Sequence, residues 1–246
     1  MANVQSLLRI GTGLLASACF AAAAFAHPDI PPVDYPQIPE RADDAAGFVP
    51  PGWRLEHEQR GRLDGDDRPD LLLLLRMDAA ANRIEHDGMG ASPFDTNPRM
   101  LVVALADGDG YRRVVADHRF IPRPHSPVYD DVLGDSPGDA IRIAENRVFT
   151  ITLTSWASAG SWSSTSRSFG FRFQDGCARL VGFDEHDLHR GSGEITERSD
   201  NFLSGRGWTR SGHISDEGEA PKRWRRLPRR NVICLGDIGD GFGFQP

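Results

Sequence analysis

The chain has 246 residues, 39% of them hydrophobic and 26% charged, with a formal net charge of −7 at pH 7. That apolar share supports a sizeable core in one large domain and excludes a wholly disordered chain. The acidic balance repels nucleic acid and anionic lipid over most of the surface, and past residue 26 no apolar run is long enough to span a bilayer.

Residues 1–26 read as a secretory signal peptide. Arg9 precedes an almost wholly apolar run over residues 10–25, and Ala24 and Ala26 occupy the −3 and −1 positions of a cut before His27. A rival reading is lipidation at Cys19, but Ala16 stands where a lipobox usually has Leu, and apolar residues follow the cysteine. Cleavage to a periplasmic or secreted protein is the expectation, and it would leave 220 residues. Only Cys177 and Cys234 then remain. In an oxidising compartment they allow one intramolecular disulfide, and the alternative is two buried thiols. A bridge over that span would contribute about 4 kcal/mol in the chain-entropy model.

Residues 27–51 are proline-rich and read as an extended arm or linker, from which Ile30, Val33, Tyr35 and Ile38 can pack onto a groove. Residues 52–246 form the single β-rich domain. Five successive leucines at residues 71–75 fit a strand buried on both faces. In MLVVALADGDGYRRVVA, two apolar runs flank Asp107-Gly108-Asp109-Gly110, a hairpin turn. AIRIAENRVFTITLT repeats the pattern, with Glu145-Asn146 at the turn and Phe149, Ile151 and Leu153 alternating to one face. SRSFGFRFQDGCARLVGFD sets Phe169, Phe171 and Phe173 on one face and turns at Asp175-Gly176. Residues 185–189 fit one turn of helix, and residues 216–220 a polar loop. The expected fold is all-β: an antiparallel meander forming a sandwich or barrel-like core, with few short helices.

The stretch GRLDGDDRPDLLLLL, residues 61–75, offers alternating carboxylates on a tight loop, which is what a hard cation such as calcium requires. Asp64, Asp66 and Asp70 would supply side-chain oxygens and Arg68 a carbonyl. Arg62 stands where the first acidic ligand belongs, and Asp67 where glycine is usual. Arg62 is therefore expected to replace the ion in part, pairing with Asp64, Asp66 or Asp70. The loop resembles that of FG-GAP or VCBS-type β-propeller repeats, over these dozen residues only and in a single copy. More widely, Pro51-Gly52-Trp53, Asn97-Pro98-Arg99, Ser158-Ala159-Gly160-Ser161-Trp162-Ser163, Phe171-Arg172-Phe173, Val181-Gly182-Phe183-Asp184 and His189-Arg190-Gly191-Ser192-Gly193-Glu194 together resemble a family of uncharacterised exported bacterial proteins. That resemblance spans roughly residues 48–240 and implies no known activity.

Three further clusters stand out. His186 and His189, three apart, would share one face of a helical turn, and with Glu194 they form an alternative metal set. Residues 158–168 hold many hydroxyls, although a serine nucleophile also needs a base and an oxyanion hole. Trp156, Trp162 and Trp208 are candidate sugar platforms or core residues. Residues 222–230 form the one basic run, with Arg225, Arg226, Arg229 and Arg230. It reads either as an edge strand balanced by Asp216, Glu217 and Glu219, or as a contact for an anionic partner such as lipopolysaccharide or an acidic protein.

The leading expectation is a non-catalytic exported binding or interaction protein with a degenerate calcium-type loop, its ligand left open, with a protein or an envelope component as candidate partners. No cofactor is expected beyond weakly held calcium. The alternative is a small hydrolase or metal-dependent enzyme around His186, His189 and the serine-rich turn.

Overall fold

The computed structural model describes residues 28–228 and 231–246. The leader with Cys19, and Arg229 and Arg230 of the basic run, lie outside the described residues. The first half of the chain forms β1 (Arg41–Ala42), β2 (Trp53–Gly61), β3 (Asp70–Met77), β4 (Arg83–Ile84), β5 (Phe94–Asp95), β6 (Arg99–Asp107) and β7 (Gly110–Asp117). The second half forms the short helix α1 (Pro137–Ala140), β8 (Ile141–Ile143), β9 (Val148–Ser155), β10 (Ser163–Gln174), β11 (Cys177–His189), β12 (Glu194–Asn201), β13 (Arg206–His213), β14 (Arg223–Arg226) and helix α2 (Leu235–Ile238).

These strands make two antiparallel sheets, ordered β1-β7-β6-β3-β2 and β14-β13-β12-β11-β10-β9-β8, with β4 and β5 as a small separate ribbon. The second sheet is a pure meander. Both sheets keep open edges, so the fold is a sandwich and not a barrel. At one corner the edges of β2 and β8 meet, where Gln59 Oε1 accepts the Ile143 amide at 3.0 Å.

The leucine run shows why the sheets stack as they do. Successive side chains in a strand point to opposite faces. Leu72 and Leu74 face inward with Leu101, Val103 and Leu105, meeting Phe149, Ile151, Leu153, Phe169, Phe171 and Phe183 of the second sheet. Phe120 fills the centre edge-on, its ring 4.9 Å from Phe169 and 5.6 Å from Phe171. Leu71, Leu73 and Leu75 face the other way and form a second cluster with Met100, Val102, Trp53, Ile38, Ala45 and Phe48.

The proline-rich arm is what covers that outer face. It contributes β1, which pairs with β7, and Ile38 and Phe48 are buried. Tyr35 stacks on His118 at 3.9 Å, and Arg123 donates to the Pro31 carbonyl at 2.7 Å. β7 approaches the arm so closely that a Cβ on Gly110 would stand 2.6 Å from the Ala42 carbonyl oxygen.

The turns follow their chemistry. Asp175 and Gly176 take φ of 54° and 82° between β10 and β11, the mirror-image turn that suits strand twist. Cys177 and Cys234 form the disulfide, with Cα atoms 5.9 Å apart, tying the start of β11 to the residue before α2. Residues 241–246 lie across the inner face of β10 to β12. Arg167 donates to the Phe242 carbonyl and Arg198 to that of Pro246 at 2.8 Å, while Phe244 packs 5.8 Å from both Phe169 and Phe183.

One element departs from the expectation. Residues 185–189 are not a helical turn but the end of the unbroken 13-residue strand β11. That segment is paired on both sides, and cross-strand partners hold it extended: Arg167 with Glu185 at 2.6 Å and Thr165 with Asp187 at 2.5 Å.

Candidate functional site

The acidic loop joins β2 to β3. Asp70 is fully buried, and its carboxylate accepts three backbone N–H groups: Leu63 at 2.7 Å and Asp64 at 3.3 Å on one oxygen, and Ala106 at 2.9 Å on the other. Burial pushes its pKa up, and the amide bonds oppose that rise. Asp64 accepts the Asp66 amide at 2.9 Å, and Asp66 accepts the Arg68 amide at 2.8 Å and its Nε at 2.9 Å. Those bonds from Arg68, backbone first, hold the Asp66 carboxyl below its ordinary range. Arg62 does not pair with Asp64, Asp66 or Asp70; it reaches Asp67 at 3.0 Å. Arg68 is the guanidinium inside the loop, and it also donates to the Ala106 carbonyl at 2.8 Å. The sequence pattern identified the turn but assigned its cation to the wrong arginine.

The histidine cluster does not converge. Three residues apart on a strand, His186 and His189 point to opposite faces. His186 lies opposite Glu197 on β12, and His189 opposite Glu194. At the exposed turn beyond, the Ser192 hydroxyl lies 2.8 Å from His189 Nδ1 and 3.1 Å from Glu194 Oε2. Among the described residues no three His, Cys, Asp or Glu side chains gather as a metal group.

The tryptophans are likewise separate. The Arg190 guanidinium sits 4.7 Å over Trp156, Lys222 Nζ sits 4.2 Å over Trp208, and Trp162 projects into solvent. Residues 223–226 of the basic run form the edge strand β14, as one reading expected, but its partners differ. Arg225 pairs with buried Asp200 at 2.5 Å, whereas Glu219 engages Arg210.

A different place gathers polar groups under an apolar roof. Between β5, the long connection from β7 to α1 and the C-terminal segment lies a cavity of about 400 Å³. Its walls include Phe94, Pro122, Pro124, Tyr129 and Phe242. Beneath it runs a buried ion network. Arg99, 3% exposed, reaches Glu56 at 2.5 Å and Asp131 at 2.7 Å. Arg76 joins Glu56 at 3.0 Å and Asp95 at 3.1 Å. Burial would raise the Asp131 pKa, but the Arg99 hydrogen bonds and charge outweigh it and hold the carboxyl low. Burial also opposes the Arg99 charge, yet Glu56 and Asp131 keep that guanidinium firmly protonated.

At the same cavity, Arg123 donates to the Thr96 and Pro31 carbonyls and to Asn82 Oδ1. Each guanidinium of the floor thus has protein partners, although the buried Arg76 Nε makes no hydrogen bond. At the mouth, Asp130 and Asp240 make no ion pair among the described residues, and both are exposed. The lining carries four aspartates (Asp95, Asp130, Asp131, Asp240) against two arginines.

Sequence reasoning did not reach this cavity. A signal was present: residues 118–136 contain no regular strand, and a structureless connection beyond about 12–15 residues is usually functional or disordered. Arg99 lay inside the Asn97-Pro98-Arg99 phrase, but nothing in that phrase announces the carboxylates it meets, which come from β2 and from residue 131. Comparison with known families, curated proteins and solved structures returned no match.

Proposed function

We propose that this chain is a non-catalytic, exported binding protein whose site is the cavity roofed by Phe94, Tyr129 and Phe242. Its ligand is a small amine cation with an apolar body. The observation that carries this reading is the charge arrangement: arginines engaged in the floor, and two aspartates without counter-ions at an aromatic-walled mouth. Aromatic faces and carboxylates both attract an ammonium, and a pocket of this volume suits a small ligand. The Cys177–Cys234 bridge supports an oxidising, non-cytoplasmic setting.

The test is a thermal-shift series with phenethylamine, phenethyl alcohol and 3-phenylpropionate at equal millimolar concentration. The amine should raise the melting temperature more than the neutral and anionic analogues, and the Asp130→Asn/Asp240→Asn double variant should lose that preference. Equal shifts with all three compounds, or none with any, would refute the reading.

A further inference from the structure

The outer edge of the second sheet holds an arrangement that folding alone does not favour. Arg206 on β13 and Arg226 on β14 are direct cross-strand partners. Like charges so placed are destabilising. No carboxylate relieves them among the described residues, because the acids of this region are already committed. Asp200 is held by Arg198 and Arg225, and Glu197 and Glu219 by Arg210. The Arg206 guanidinium instead lies 4.9 Å over the Trp224 ring. Lys222 and Arg223 of the same segment also make no ion pair among the described residues, on a chain whose net charge is −7.

Beside these cations, apolar side chains stand in solvent. Trp224 is 59% exposed, Leu203 at the β12–β13 turn 51%, and Val232 48%. They belong to one continuous surface. Arg206, Trp224 and Arg226 share a hollow with Ser204, Gly205 and Leu227, and those three also line the adjoining hollow that holds Leu203 and Val232. The Leu227 amide bonds the Gly205 carbonyl at 2.9 Å, fixing the two halves together.

We infer that this edge docks onto an anionic phospholipid surface. A headgroup phosphate bridges Arg206 and Arg226, while Trp224, Leu203 and Val232 enter the interfacial layer. Tryptophan favours the bilayer interface, where its ring is buried and its N–H stays wet. Arginine matches phosphate with its planar fork of donors. Isolated apolar knobs ringed by cations fit a headgroup layer better than a protein partner, which would need a broad, closely packed patch. The acidic remainder of the surface is repelled by the same membrane, so the contact is oriented and salt-sensitive.

The experiment is co-sedimentation of the oxidised protein with phosphatidylglycerol/phosphatidylethanolamine vesicles and with phosphatidylcholine vesicles, at 50 and 300 mM salt. The protein should bind the anionic vesicles at low salt, release them at high salt and ignore phosphatidylcholine. Each arginine removed near an anionic surface should cost about fivefold in partitioning. Arg206→Ser and Arg226→Ser should each do so, and Arg226→Ser should leave the melting temperature unchanged or raised, because it removes the like-charge clash and keeps the Arg206–Trp224 contact. Leu203→Ser should weaken binding with no change in charge.

Binding that is equal on both vesicle types, that survives in the arginine variants, or that is absent while 10 mM inorganic phosphate alone stabilises the protein, would overturn the lipid assignment. A fall in stability on removing Arg226 would overturn the clash on which it rests.

Discussion

Arg99→Met isolates the buried ion network beneath the cavity. Methionine is similar in length but uncharged, so the change removes the partner of Glu56 and Asp131 without emptying the space. Arg99 is 3% and Glu56 8% exposed, with contacts of 2.5 Å and 2.7 Å. Breaking a buried pair by deleting one member costs about 3–5 kcal/mol, because the remaining charge lacks compensation. For a chain of this size that corresponds to a fall of roughly 6–20 °C in melting temperature.

The loss should also depend on pH. In the native protein the folded pKa of Asp131 lies below its ordinary value. The stability it contributes is therefore present above the unfolded pKa, about 3.9, and is lost as pH falls through the folded value. Without Arg99, burial acts on Asp131 with less opposition and raises its pKa, so acid favours the folded variant relative to neutral pH. Urea unfolding of both proteins at pH 7 and pH 4.5, with the disulfide oxidised, should show a deficit that is largest at pH 7 and smaller at pH 4.5. A deficit under about 1 kcal/mol, or one identical at both pH values, would refute the idea that Arg99 neutralises buried carboxylates.

Three other outcomes follow from the packing. Leu73 is fully buried in the outer cluster, so Leu73→Ala should cost about 2–5 kcal/mol in urea unfolding, and a loss below 1 kcal/mol would mean that the arm does not seal that face. The Cys177→Ser/Cys234→Ser pair should lower stability by about 4 kcal/mol on the chain-entropy account, and thiol labelling of the denatured native protein should find neither Cys177 nor Cys234 free. Calcium at 1 mM should move the native melt by less than about 1 °C relative to EDTA, because Asp70 already serves three amides and Asp66 serves Arg68. A site with about 10 μM affinity would add roughly 2.7 kcal/mol, so a shift of about 5–10 °C would show that the loop reorganises around an ion.

The hairpins were legible because their signals are local. Asp107-Gly108-Asp109-Gly110 and Asp175-Gly176 each specify a turn through positive-φ conformations that few residues tolerate, whereas the turn at Glu145-Asn146 takes its positive φ at Arg147. The leucine run showed two-sided burial through its length and lack of alternation. What covered each side was not legible, because Phe48 and Leu73 meet only after the arm folds back. The His186 and His189 spacing was ambiguous for a similar reason. A separation of three means one face on a helix and opposite faces on a strand, and the pairing of Arg167 with Glu185 decides between them. The cavity was hidden because Glu56, Arg76, Arg99 and Asp131 come from separate segments and only the tertiary fold makes them neighbours.

The division of the sandwich bears on how it is assembled in time. Each sheet comes from one contiguous half of the chain, and in the second sheet every strand pairs only with its neighbours in sequence. Short loop closures form quickly, so the meander should organise first and bring Cys177 near Cys234 without help from the other half. The first sheet needs two long-range pairings, β1 with β7 and β3 with β6. Until these form, the outer leucines are bare. The arm precedes in sequence the strands it must cover, so it has nothing to pack on until β3 and β6 have paired.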